Sequence, residues 1–178
     1  VLDPKLTLGL PPHITSTTGM DALTHAVEAY IGNSNTAETK KMAKDAIQLI
    51  VHNVYKAYTK GSDIEARENM QKASYYAGIA FTRAYVGNVH AVAHTLGGFY
   101  NTPHGLANAV ILPIVLKAYG ASVHRKLAEL EDLLTKDAKG SEEVKANRFT
   151  DRIERLNESM NIPKRIKGIQ DKDIPLMV

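Results

Sequence analysis

Between Val89 and Asn108 the stretch VHAVAHTLGGFYNTPHGLAN places three histidines and four glycines or prolines in twenty residues. Upstream, GMDALTHAVEAY sets Asp21 and His25 four residues apart. On a helix that spacing puts both side chains on one face, a turn apart. His90 and His94 form a second pair at the same spacing. His104 follows in a glycine-bounded turn of the kind that lets a side chain approach a fixed ion. One carboxylate with several imidazoles suits Fe(II), Zn(II) or Mn(II), whereas soft metals prefer sulfur and Mg or Ca prefer oxygen cages. A closed structural zinc site is normally rich in cysteine, and this chain has none, so the pattern favours an open, catalytic metal. Spacing alone does not rank His90 against His94; whichever is not a ligand would orient one or relay a proton.

The remaining histidines carry no such pattern. His52 falls on a charged helical stretch, His124 sits beside Arg125, and His13 lies among prolines. Other chemistries leave traces that are missing. There is no H-E-x-x-H, no His-Asp dipeptide and no Glu-x-x-His pair, which disfavours a zincin protease, a helical metal phosphohydrolase and a di-iron bundle. Neither G-x-G-x-x-G nor G-x-x-x-x-G-K-[ST] occurs, so the chain carries no recognisable nucleotide cradle of its own.

Composition agrees with a globular domain: 178 residues, 44% hydrophobic and 23% charged. The net charge of +3 is not gathered into a stripe. Basic residues alternate with acidic ones in EARENMQK and TDRIERLNE, and the densest group, Lys164, Arg165 and Lys167, lies near Asp171 and Asp173. That is the pattern of solvated helix faces and argues against a nucleic-acid partner. The longest apolar run, Ala109 to Leu116, contains Pro113 and falls short of the ~18 residues of a membrane span. The absence of cysteine fits a cytoplasmic protein.

The elements that must position these residues read as all-α, since no run of alternating β-branched residues occurs. Residues 1–18, punctuated by Pro4, Gly9, Pro11 and Pro12 and ending in a polar run, read as extended chain. Helices are predicted from Gly19 to Ile31, capped by Thr17 or Thr18 and stopped by Gly32, and from Thr36 to Thr59. The second carries a core stripe of Met42, Ala46, Ile50, Val54 and Tyr58. A capping box at Ser62–Glu65 opens a third helix to Tyr85. A short helix with His90 and His94 then leads through Gly97 and Gly98 to a tight turn at Asn101–Gly105. The apolar helix from Leu106 to Tyr119 is predicted to be central and kinked at Pro113. Amphipathic helices at Ser122–Thr135 and Ser141–Met160 flank a polar loop around Asp137–Gly140, and the final DKDIPLMV reads as an N-cap and first turn.

GMDALTHAVEAY followed by VHAVAHTLGGFYNTPHGLANAV resembles the signature pair of the iron-dependent alcohol dehydrogenase family, which includes lactaldehyde and propanediol oxidoreductases. The resemblance runs from Leu2 to about Lys117 and more loosely to the end. It implies a dinucleotide-binding α/β domain followed by an all-helical metal-binding domain, with the active site between them. On that reading residues 1–18 are a crossover from an absent N-terminal domain, and residues 19–178 are the helical domain, cut short at its C-terminus. By motif position the resemblance assigns Asp21, His25, His90 and His104 as metal ligands. It makes His94 the catalytic, non-ligand histidine near the nicotinamide and Phe81 an aromatic neighbour of substrate and cofactor. The family's usual HPLG reads here as His94 to Gly97 with Thr95 in place of proline.

The implied activity is hydride transfer between a small alcohol and its aldehyde or ketone, with the metal as Lewis acid on the substrate oxygen. Fe(II) is the implied metal and Zn(II) the next; NAD or NADP would be bound mainly by the absent domain. The chain alone would then lack turnover, the full-length form would be a homo-oligomer, and an apolar surface left uncovered would promote self-association. Two alternatives stand beside this: a zinc-dependent glycerol dehydrogenase-like enzyme of the same fold, and a non-catalytic helical metal-binding module.

Overall fold

Seven α-helices, with 3-10 turns at Pro4–Thr7, Gly120–Ser122 and Asp171–Leu176, make up the computed structural model, which describes residues 1–136 and 138–176. Among the described residues there is no strand, and the fold is all-α as the sequence predicts.

The first helix departs from the sequence expectation at its start. Residues 1–18 are not extended: Pro4–Thr7 is a 3-10 turn, and α1 spans Pro12–Ile31. Pro12 occupies the first helical position, where its locked φ fits the helix and its missing N–H has no helical partner to lose. The polar run then stays helical because its hydroxyls fold back on the helix. Thr17 Oγ1 donates to His13 O at 2.8 Å and Thr18 Oγ1 to Ile14 O at 2.7 Å. At the other end Gly32 N–H closes on Glu28 O, and Lys126 Nζ donates to the carbonyls of Ile31 and Gly32, placing a cation at the negative end of the helix dipole.

Helix α2, Ala37–Thr59, opens on a reciprocal cap between Thr36 and Thr39. Of its stripe, Ala46, Ile50 and Val54 are fully buried, and Met42 and Tyr58 pack half-buried against the same core. Helix α3, Ile64–Ala84, is capped by Asp63, not by Ser62. The Asp63 carboxylate accepts from Ala66 N at 3.0 Å; an anion is favoured at a helix N-terminus, and Ala66 has no side chain to complete a box.

Helix α4, Asn88–Tyr100, absorbs Gly97 and Gly98, and α5, His104–Tyr119, begins two residues before the predicted Leu106. Asn101, with φ of 51°, ends α4 in the left-handed region that asparagine tolerates. Helix α5 is continuous through the buried Pro113. Helices α6, His124–Leu134, and α7, Glu142–Ser159, complete the set, the latter capped by Ser141. Asp137 of the predicted polar loop, and Met177 and Val178 of the last segment, lie outside the described residues.

Helix α1 is the hub, packing on α2, α3 and α5, while α5 also meets α4 and α7. Leu23, Val27, Tyr30, Ile47, Ile50, Leu112, Leu116 and Phe149 form the interior. Residues 104–122 are long and apolar enough, by length and composition, to cross a membrane, beyond what the interrupted run Ala109–Leu116 implies. They nevertheless carry Asn108 fully buried and bonded to Asp21 on α1, the arrangement of a core helix. Leu6, Tyr85, Phe99 and Ile114 remain exposed.

Candidate metal centre

Three helices bring the candidate ligands together. Asp21 and His25 stand one turn apart on α1, His90 lies in the first turn of α4, and His104 is the first residue of α5. The position of His104 differs from the turn predicted for it. Pro103 and Asn101 reverse the chain, and Gly105 lets the start of α5 approach the backbone of α1.

One donor atom from each of Asp21, His25, His90 and His104 lies within 4.8 Å of every other. Around Asp21 Oδ1, His104 Nε2 stands at 3.4 Å, His90 Nε2 at 3.6 Å and His25 Nδ1 at 4.0 Å. Donors on a tetrahedral ion with bonds of ~2.1 Å stand about 3.4 Å apart, so the spacing fits one divalent ion. The burial fits too. His90 is 2% exposed and its Nε2 has no hydrogen-bond partner, a state that is costly unless something accepts its lone pair or proton.

Charge is distributed unevenly over the cluster. Burial pushes His25 down to about 4, against the pull of Asp21, so its imidazole is neutral and free to donate a lone pair. Burial opposes charge on His90 as well, but the carboxylates of Asp21 and Glu28 outweigh it and raise this group to about 9. Burial also opposes ionisation of Asp21; the neighbouring His90, His25, Asn108 and His104 reverse that and hold the carboxyl below its ordinary value.

Spacing left His90 and His94 unranked, and the tertiary structure separates them. His90 points inward to the cluster; His94 is exposed and its ring stacks on His104, centroids 5.1 Å apart at 24°. Phe81, on α3, stacks on His25 at 4.3 Å and 23°, which places it against a candidate ligand at the edge of the cluster. His13, His52 and His124 lie outside the group.

Two residues of the site escaped the sequence reading. Glu28 is buried and takes hydrogen bonds from Val89 N at 2.8 Å and His90 Nδ1 at 2.6 Å. Asn108 is fully buried and donates to Asp21 Oδ1 at 2.6 Å, with its Nδ2 3.0 Å from His104 Nε2. A spacing signal existed for both: Glu28 extends the Asp21–His25 face by a further turn, and Asn108 is one turn beyond His104.

An all-α fold that gathers one carboxylate and three imidazoles within ligand distance of one another defines a candidate metal-binding domain. The C-terminal model of the Fe-containing alcohol dehydrogenase family matches residues 15–178, and the chain belongs to that family. It is 43% identical over 178 residues to the 1,3-propanediol dehydrogenase of Klebsiella pneumoniae, covering 98% of this chain and 46% of that one. The NAD-dependent methanol dehydrogenase of Bacillus methanolicus is 37% identical, over 99% of this chain and 47% of its own. A crystal structure of 1,3-propanediol oxidoreductase superposes with a TM-score of 0.95 at 43% identity, covering 98% of this chain and 47% of that chain. The chain thus spans about half the length of the curated relatives it matches.

Proposed function

We propose that this chain is the metal-holding part of an NAD(P)-dependent alcohol dehydrogenase that interconverts a small alcohol and its aldehyde or ketone by hydride transfer. The observation that carries the proposal is the convergence of Asp21, His25, His90 and His104 on one point. Fe(II) is the metal favoured by the family, and Zn(II) suits the same donors. When bound, such an ion supplies Lewis acidity to a substrate oxygen.

The chain's own residues divide the remaining work. Asp21 contributes the anionic donor, and Asn108 fixes which way its carboxylate faces. The half-buried His25 stays neutral, with Phe81 stacked on its ring. His94, exposed and stacked on His104, is placed to carry the substrate hydroxyl proton from the site towards solvent. Phe81 and His94 together border the position proposed for the nicotinamide ring.

The nicotinamide itself is proposed to be held by a dinucleotide-binding domain outside these 178 residues. Two things support this: no nucleotide-cradling motif occurs in the chain, and the family match is to a C-terminal part. The 178 residues alone would then bind metal without turnover. We place the enzyme in the cytoplasm, in keeping with its lack of cysteine, as a homo-oligomer in its full-length form.

Elemental analysis of the anaerobically purified chain, with NAD and NADP binding measured on the same sample, tests this. About one iron or zinc per chain without dinucleotide binding is the expected result. A chain that takes up no metal after incubation with Fe(II) or Zn(II) would overturn the assignment.

A further inference from the structure

We infer that Glu28 is a positioning residue of the metal centre: it holds His90 as the Nδ1–H tautomer, so that Nε2 presents its lone pair to the ion. The inference rests on the metal-holding role proposed above and extends it to a residue outside the four donors.

Two donors converge on Glu28: Val89 N–H reaches Oε1 at 2.8 Å, and His90 Nδ1 stands 2.6 Å from Oε2. Both residues are buried, Glu28 at 3% exposure and His90 at 2%, so water cannot stand in for either partner. A carboxylate offers two acceptor oxygens, one for each donor. A carboxamide offers one acceptor and one donor, so glutamine must leave a donor facing a donor or force the imidazole to the other tautomer. In that tautomer Nε2 carries the proton, and it is Nε2 that faces Asp21 Oδ1 at 3.6 Å with no hydrogen-bond partner of its own. The unpartnered nitrogen on one side of the ring and the paired nitrogen on the other are two ends of a single arrangement.

The surrounding chain is shaped for this carboxylate. A Cβ at Gly87 would fall 2.9 Å from Glu28 Oε1, closer than such contacts tolerate, so the absence of a side chain there leaves room for the carboxylate. The Val89 N–H that Glu28 accepts belongs to the first turn of α4, where backbone donors lack helical partners. Glu28 therefore docks the start of α4 onto α1 and orients the ligand carried by that turn in one contact. Partners of this kind are worth about 10- to 100-fold in metal affinity.

The test uses Zn(II) alone, with its dissociation constant measured by chelator competition, and nitrogen-15 NMR of the His90 ring in the Zn-loaded chain. The wild type is expected to bind one Zn(II) with the His90 proton on Nδ1, protected from exchange. Glu28→Gln is expected to weaken Zn(II) binding about 10- to 100-fold and to lose that protected proton. Gly87→Ala keeps the charge of Glu28 but displaces Oε1, and is expected to weaken binding in the same direction; it serves if Glu28→Gln fails to fold. A His90 in the wild type whose Nδ1 carries no proton would overturn the inference while leaving the metal site standing, as would Zn(II) affinities within twofold of wild type in both variants. A wild type that binds no Zn(II) would instead overturn the metal site, and this inference with it.

Discussion

Gly105 lies against the carbonyl of Thr17, so close that a Cβ on Gly105 would fall 2.6 Å from Thr17 O and 2.9 Å from its carbonyl carbon. This contact sets the distance between α1 and the start of α5, and hence between Asp21 and His104. Replacing glycine by alanine inside a helix ordinarily stabilises it by up to about 1 kcal/mol. Here the obstacle is backbone and cannot rotate away. Gly105→Ala is expected to destabilise the fold by about 1–3 kcal/mol and to weaken metal binding, read from urea unfolding with and without Zn(II).

His104 is the most exposed of the four candidate ligands, its side chain 42% accessible, and it adds little to the core. His104→Ala is therefore expected to remove stoichiometric metal while leaving the unfolding midpoint of the metal-free chain nearly unchanged. Elemental analysis showing an unaltered metal content would dismiss the four-donor assignment.

Asn108 spends its amide on the site: Nδ2 donates to Asp21 Oδ1, and Oδ1 is buried without a partner. In Asn108→Ala the Asp21 carboxylate loses a part-buried, charge-assisted hydrogen bond, at a cost of about 1–3 kcal/mol. Metal affinity is expected to fall with it, by about one to two orders of magnitude. Isothermal titration with Zn(II) separates this from a purely structural effect, which would lower the melting temperature and leave the affinity of the folded chain intact.

Arg67 is buried and forms no ion pair among the described residues. It donates instead to Gly61 O at 2.9 Å, Thr15 Oγ1 at 2.7 Å and Leu10 O at 3.1 Å, tying residues ahead of α1 to α3. Arg67→Met keeps most of the apolar stem and deletes these bonds, leaving the buried Thr15 hydroxyl unmet at about 1–3 kcal/mol and releasing the two part-buried carbonyls to water. Faster proteolytic cleavage among residues 1–11 is the expected outcome, and an unchanged cleavage rate would show that other contacts hold this segment.

Much of the molecule was legible from spacing alone. Four-residue intervals on one helix fix which side chains share a face, whatever the helix packs against, so the Asp21–His25 pair and the Ala46–Ile50–Val54 stripe followed from local geometry. The same reasoning failed at Thr15–Thr18, read as extended chain with Thr17 or Thr18 as a cap, where the hydroxyls of Ser16, Thr17 and Thr18 instead bond to carbonyls within their own helix, and at Ser62, where the competing Asp63 takes the cap.

The sequence by itself determined the helical class of the chain, the donor types available and the pairs that share a face, because these depend on residues within a turn of one another. It also carried the family signatures on which the ligand assignment rests. Only the tertiary structure decided that His90 turns inward and His94 outward, that Phe81 stacks on His25, and that Glu28 and Asn108 bond to the candidate ligands. Those outcomes depend on how α4 and α5 dock on α1, through a glycine contact at Gly105 and a carboxylate buried at Glu28. Contacts between segments dozens of residues apart are set by packing, and periodicity along one helix does not encode them.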